Sequence, residues 1–456
     1  MTARHYQNVV VGGGVPGLLG ALLKANAGES VLLVERAPNL GGLLRSHRLS
    51  TGHWVDYGTH FMADTGVPEL DALLRSVLPP DALEHFSPIN AGTYAFGRRN
   101  DHCASLDLRG LGQELEARIV AEALATTDGN KVDRTLAERV ERLFGPTAHE
   151  FVFTPVMQKL CGAETTALAP EAMRFFSLGR FVVLTPEASR RLKKTPHGDA
   201  RFAFHSNTEG VNRTVAYYPK EGGIGRWTSA LAEAAVQAGT ETMLGTSVTA
   251  VRHRDGGGLS LTLSDATSVT CDSLVWSVPL AFLRTALGEP SASPLRFRAS
   301  HIEHLVFDRP FKSEAHYLHC YSPDVAPFRV TLYPNFTRTA APGYTCTVET
   351  LLSPNDTVDP SSPGTATRAE LVRMGIVTPE ARLEHVETHL ERAAFPLMTP
   401  AYAEQVRAEA EHIQKTLPEC ICIGKASGEN FFMVDVLRDT FTRCSESTRA
   451  LRSSAA

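Results

Sequence analysis

Asn8-Val-Val-Val-Gly-Gly-Gly-Val-Pro-Gly-Leu-Leu19 decides the fold. Gly12, Gly14 and Gly17 stand between an apolar strand pattern and a helix pattern, and the next strand, Ser30-Val-Leu-Leu-Val-Glu-Arg36, ends on the acid Glu35. Strand, glycine turn, helix, strand and terminal acid at this spacing predict a dinucleotide-binding βαβ unit. The first glycine makes the tight turn, the second lets a pyrophosphate approach the backbone, and the third lets helix and strand pack closely; the helix N-terminus faces the phosphate charge. Pro16 is tolerated because the first helical turn has no use for its missing N–H. Glu35 is placed to accept hydrogen bonds from both hydroxyls of a ribose, the plainer alternative being a solvated acid after a strand.

The residues after Glu35 choose between flavin and nicotinamide. Arg36-Ala-Pro-Asn-Leu-Gly-Gly-Leu-Leu-Arg-Ser46 sets a second glycine pair, Gly41 and Gly42, just beyond the acid. A nicotinamide dehydrogenase has no need of it, whereas in a flavoprotein such a pair lets backbone approach the cofactor. Arg36, Arg45 and Ser46 are then candidates to meet the cofactor's phosphates or its flavin end. The expected cofactor is FAD.

With 456 residues, 43% of them hydrophobic and 21% charged, the chain can bury a large core and divide into lobes. A net charge of −5 gives no reason to expect nucleic acid or an anionic membrane as partner. No apolar run reaches the length of a membrane span and no signal-peptide pattern precedes the first strand, so the expected location is the cytoplasm. The eight cysteines are scattered and read as reduced thiols. Cys420-Ile-Cys422 is expected to lie on a strand with its two thiols on opposite faces. The oligomeric state stays open.

The chain resembles the flavoprotein superfamily of amine oxidases, protoporphyrinogen oxidase and UDP-galactopyranose mutase. The resemblance is carried by the opening unit through Ser46 and by four later segments: Val55-Asp-Tyr-Gly-Thr-His-Phe-Met62, Phe153-Thr-Pro-Val-Met-Gln-Lys-Leu-Cys-Gly162, Tyr218-Pro-Lys-Glu-Gly-Gly-Ile-Gly-Arg-Trp227 and Cys422-Ile-Gly-Lys-Ala-Ser-Gly-Glu-Asn-Phe-Phe-Met-Val-Asp435. The first is specific; the others persuade by their order. The implied fold is α/β, a discontinuous Rossmann-like FAD-binding domain with a mixed α+β substrate-binding domain.

On this reading residues 1–66, 205–290 and 416–446 bind FAD. Residues 67–204, mostly helical, and 291–415, strand-rich, form the substrate region, and 447–456 are a frayed tail. Helical spacing is read from Val67 to Phe176 and from Thr378 to Lys415, a basic surface loop over Thr185 to Asp199, and a long exposed loop over Ser353 to Thr367. A hairpin is read over Val248–His253 and Leu259–Leu263. Leu274-Val-Trp-Ser-Val-Pro279 resembles the strand that re-enters the nucleotide-binding sheet.

The resemblance also implies roles. Val248 sits where the superfamily contacts adenine through its backbone. Gly424 closes the last strand, and Asp435 precedes a helix whose positive end faces the flavin, or serves as that helix's N-cap. His60, in a Tyr-Gly-x-His element, and Arg329, in Pro327-Phe-Arg-Val-Thr-Leu-Tyr333, are the candidate catalytic residues; for Arg329 the alternatives are a two-point grip on phosphate or carboxylate and a structural pairing with some acid. Lys425, Phe431 and Phe432 are candidate substrate contacts. His301-Ile-Glu-His304 and His316-Tyr-Leu-His319 are not expected to bind metal, since residues three apart on a strand face opposite sides. No G-x-S-x-G elbow supports a hydrolase.

Three functions stay in view. FAD-dependent oxidation of a small molecule in a biosynthetic pathway is expected first. A redox-neutral sugar mutase using reduced flavin is the alternative, and a non-catalytic flavin-binding protein the third. Against the mutase, Asn39 stands where its signature has histidine, Lys425 where it has arginine, and Phe431-Phe432 where it has two tyrosines. FAD is expected to be bound noncovalently, because no cysteine lies in an attachment context.

Overall fold

The computed structural model describes residues 3–127, 132–210, 215–290, 296–353, 356, 363–427, 430 and 432–455. The opening strand, Arg4–Val11, lies at the centre of a parallel sheet in the order Thr240–Met243, Val31–Val34, Arg4–Val11, Ser268–Trp276. Beyond Ser268–Trp276 the sheet divides. The first half of that strand pairs antiparallel with Leu259–Leu263, which pairs with Val248–His253, and the second half pairs parallel with Cys420–Cys422. Segments from the start, middle and end of the chain therefore close one sheet.

The central strands are apolar along their length because both faces are covered. Val10 and Leu33 face a layer containing Leu18, Leu22, Leu231 and Leu437, while Val9, Val11 and Leu32 face Leu261, Leu280 and Leu283. The helices Val15–Asn26, Ile224–Gln237 and Met433–Ala455 supply the first layer. Each fully buried leucine contributes about 1.5–3 kcal/mol relative to exposure.

The second large sheet runs Leu383–Pro396, Phe297–Phe307, Tyr344–Leu352, Arg329–Leu332, Tyr317–Cys320, Ala91–Ala95, Arg98–Asn100. Its register decides what faces the cofactor lobe. Directly opposed residues share a face, so one row reads His319, Arg329, Glu349, Ile302, His389 and the row beside it Tyr317, Thr331, Thr347, His304, Glu387. The opposite face carries Leu318, Val330, Val348, Leu332, Cys346 and Leu305, buried against Leu371, Met374 and Ile376. The polar face receives the segment 46–60: Tyr333 Oη bonds both the Asp56 N–H at 2.7 Å and Thr347 Oγ1 at 3.0 Å, Thr59 bonds Thr331, and Tyr57 packs edge-on against His389.

Several expectations need correction. The stretch Val67–Phe176 contains four strands, Leu83–Phe86, Ala91–Ala95, Arg98–Asn100 and Leu106–Asp107, besides its helices. Ala91–Ala95 is buried on both faces and so shows no alternation to read. Thr185–Asp199 is not a loop but holds the helix Pro186–Leu192 and the start of the helix Pro196–Arg201, each with a threonine N-cap followed by proline. Two of its cations are paired, Arg190 with Glu209 and Lys193 with Asp199.

Within Thr378–Lys415, Leu383–Pro396 is an edge strand and the helix is confined to Pro400–Thr416 on its Thr399 cap. The charges spaced along that strand are those of a protected sheet edge, and they imitate a helical face in sequence. Cys420 and Cys422 share a face, as residues two apart on a strand must, with their sulfurs 4.0 Å apart. Of the 353–367 loop only Ser353, Asp356 and residues from 363 on lie within the described residues, and the helix Thr365–Arg373 begins there. The tail expected to fray continues the last helix to Ala455.

Candidate active site

The glycine turn is built by three different constraints. Gly12 takes φ +104°, which L side chains avoid. A Cβ on Gly17 would lie 1.8 Å from the Gly12 carbonyl oxygen, so only glycine lets the helix approach. Gly14 caps the helix, and a Cβ there would meet no protein atom nearer than 3.9 Å. Nothing in the protein forbids a side chain at Gly14; the open space beside it is where a pyrophosphate would lie.

The second glycine pair closes on the first. Gly41 N–H donates to the Gly13 carbonyl at 2.8 Å, and a Cβ on Gly42 would come within 2.9 Å of Gly14 Cα. Gly424, at φ +64°, is held against Pro16, whose Cγ a Cβ would approach to 2.8 Å. Glu35 accepts from the Gly13 N–H at 2.5 Å and from the Ala37 N–H at 2.6 Å, one bond per oxygen, leaving each oxygen a further lone pair. Thr246 N–H bonds the Glu35 carbonyl at 2.9 Å, which sets Val248 beside this end of the sheet. Gly12, Gly14, Gly17, Glu35, Gly41, Gly42 and Gly424 thus form one cradle.

Arg45 lies with its guanidinium 5.4 Å from the Tyr57 ring centre, and its buried Nε has no hydrogen-bond partner. A buried donor left unbonded costs about 1–3 kcal/mol. An acceptor on a bound ligand would satisfy it, so the open glycine turn and this donor both fit a dinucleotide cofactor. Three candidates behave otherwise. Arg36 is exposed and lies over the Phe282 ring at 5.7 Å. Ser46 is engaged, donating to Asp56 at 2.6 Å and accepting from the Gly225 N–H at 2.7 Å. Asp435 falls inside the first turn of the helix that starts at Met433, so it neither precedes nor N-caps it. Phe432 is 38% exposed, and Phe431 lies outside the described residues.

The wall facing the cradle brings His60, Arg329 and Lys425 together. A Cβ on Gly58 would lie 3.3 Å from His60 Nε2 and 3.4 Å from Arg329 Nη2. His60 is pushed down to about 3, by burial first and then by the positive Arg329 and Lys425, so its imidazole is neutral at physiological pH. Lys425 keeps accessible surface yet is enclosed enough for desolvation to lower its pKa. Accessibility combined with enclosure marks the wall of a cleft.

Arg329 is not free. Its Nε and Nη2 hold the two oxygens of Glu349, itself 3% exposed, at 2.6 and 2.7 Å. The structural pairing weighed for Arg329 is therefore present, and Nη1 makes no hydrogen bond to a described residue. Glu349, Tyr317 and His319 belong to the same wall, and only strand register could have revealed them. A groove of 470 Å³ lined by Arg48, Lys220, Tyr333 and Arg338 lies elsewhere and includes no candidate residue.

The model of the family described as flavin containing amine oxidoreductase matches residues 16–415. The chain belongs to this family, and FAD is its cofactor. A phytoene dehydrogenase of Streptomyces griseus is 27% identical over 336 residues, covering 68% of this chain and 62% of that protein, less than two thirds of its length. A structure of reduced UDP-galactopyranose mutase aligns with a TM-score of 0.75 at 15% identity, covering 98% of this chain and 96% of the other. A putrescine oxidase double mutant aligns with a TM-score of 0.61 at 12% identity, covering 97% and 99%. The two structural likenesses show the fold, a Rossmann-like FAD-binding fold.

Among the described residues no group of three His, Cys, Asp or Glu side chains is arranged to hold a metal, and no helix is long and apolar enough to cross a membrane.

Proposed function

We propose that the enzyme oxidises a small-molecule substrate of a biosynthetic pathway, using noncovalently held FAD as the electron acceptor. The chemistry that bound FAD supplies is two-electron oxidation, with hydride leaving a C–H next to nitrogen, oxygen or a developing double bond. Gly12, Gly14, Gly17, Gly41 and Gly42 would hold its diphosphate, Glu35 a ribose, and Arg45 an acceptor atom through the unbonded Nε. His60, neutral in the folded protein, is suited to hold the substrate through a hydrogen bond rather than to take up a proton.

The observation that carries the choice between redox and mutase chemistry is the Arg329–Glu349 fork. A nucleotide sugar presents a diphosphate that an arginine grips at two points, and here Nε and Nη2 are already held by a buried carboxylate, leaving only Nη1. Lys425 in place of arginine and Phe432 in place of tyrosine weaken diphosphate recognition further. A substrate that offers the arginine a single acceptor suits the remaining Nη1 better.

The test is anaerobic addition of amines, nucleotide sugars and cyclic alkenes to the yellow protein. Loss of flavin absorbance with a stoichiometric oxidised product supports the proposal. Turnover that requires prior dithionite reduction and gives no net oxidation would replace it with the mutase.

A further inference from the structure

We propose that His319 contacts the substrate and, together with Nη1 of Arg329, receives one of its sp² oxygens, a carbonyl or carboxylate. The proposal rests on the small-molecule reading of this cleft given above.

His319 is directly opposite Arg329 in the strand ladder, so both side chains stand on the face turned toward the cofactor lobe. Its ring is held by the tyrosines two residues to either side, stacked on Tyr321 at 5.6 Å and 17° and edge-on to Tyr317 at 5.4 Å. Tyr321 is itself fixed, its hydroxyl donating to the Phe176 carbonyl at 2.5 Å. The imidazole is half-buried, and neither nitrogen makes a hydrogen bond to a described residue. A polar ring positioned so firmly and given no protein partner is one whose partner arrives with the ligand.

The chemistry of that partner follows from its neighbours. Burial and the positive Arg329 push His319 down to about 3, so it is neutral and offers one N–H. Arg329 spends Nε and Nη2 on Glu349, which leaves Nη1 as a second donor in the same row. Two donors from one sheet face converge on an acceptor, and an sp² oxygen has two lone pairs in one plane to receive them. Tyr317, edge-on to His319, gives the subsite one aromatic side against which a flat carbonyl-bearing group can lie.

The FAD-loaded full-length protein is titrated with benzoate and with its neutral analogue benzamide, binding being read from the shift of the flavin absorption band. At least one probe perturbs the band, benzamide indicating a carbonyl subsite and benzoate a carboxylate subsite. His319→Phe keeps the stacking but removes the donor, and raises the dissociation constant about tenfold with FAD content unchanged; His319→Gln, which retains an N–H, stays within about threefold of the parent. Where the Phe variant does not fold, His319→Ala decides in its place, with binding restored by added imidazole. Failure of both probes to perturb the flavin, or equal binding by the Phe and parent proteins, overturns the proposal. Failure of the oxidoreductase reading is a separate outcome: the probes bind through His319, yet no substrate reduces the flavin.

Discussion

The guanidinium of Arg329 and the carboxylate of Glu349 form a two-bond fork, at 2.6 and 2.7 Å, across neighbouring strands of the second sheet. Arg329 keeps 17% of its side-chain surface and Glu349 3%, so the pair sits in low dielectric with one edge toward the cleft. Glu349→Gln leaves the arginine charge uncompensated. We expect a loss of about 3–5 kcal/mol in unfolding free energy, measured by urea denaturation at constant FAD. A loss below about 1 kcal/mol would show that the fork contributes little to the fold.

Gly14 and Gly17 separate ligand space from protein space. Gly17→Ala drives a methyl into the Gly12 carbonyl and should lower the melting temperature of the FAD-free protein, whereas Gly14→Ala meets nothing nearer than 3.9 Å and should melt as the parent does. The Gly14 variant should bind FAD at least about tenfold more weakly, because its methyl occupies the diphosphate's approach. Equal FAD affinity in Gly14→Ala, followed by flavin fluorescence quenching, would move the diphosphate off this turn.

His60→Ala should leave flavin content unchanged and lower kcat/KM about tenfold, the range for losing one hydrogen bond to the substrate. Loss of FAD in step with activity would make His60 a structural residue.

Asp56 ties the segment 46–60 to the start of the helix Ile224–Gln237 and to the strand before it. It accepts from Ser46 Oγ and Tyr218 Oη, each at 2.6 Å, and from the Ile224 N–H at 3.1 Å. Burial nevertheless pushes it up to about 6, the three hydrogen bonds pulling the other way. An unfolded aspartate ionises near pH ~4. The unfolded chain therefore gives up this proton first, and the stability this group contributes is complete below about pH 4 and lost as pH rises through about 6. Relative to Asp56→Asn, the parent should lose ~3 kcal/mol of unfolding free energy between about pH 4 and 7. A difference independent of pH would place the Asp56 pKa near its ordinary value.

The cofactor cradle was legible because its physics is local: glycines 12, 14 and 17, the acid at 35 and the pair at 41 and 42 act over a few dozen residues of continuous chain. Gly424 and Val248 needed the resemblance, being joined to the cradle only through the sheet. The proposed substrate wall was half hidden. His60 and Arg329 stood out in sequence, but Glu349 and His319 reach them through strand register, which no single segment encodes. Leu383–Pro396 misread as helix for the same reason, since its partner Phe297–Phe307 lies some way back along the chain and its edge charges mimic a helical face. The contact of Arg36 with the Phe282 ring was hidden for the same reason, Phe282 being remote in sequence.

The most direct test of the central claim is the absorbance spectrum and cofactor analysis of the purified protein, before and after mild acid denaturation. A yellow protein carrying one FAD per chain, all of it released into the supernatant by acid, is the predicted result. A colourless protein that takes up no FAD on reconstitution, or one whose glycine turn holds a nicotinamide dinucleotide instead, would contradict it.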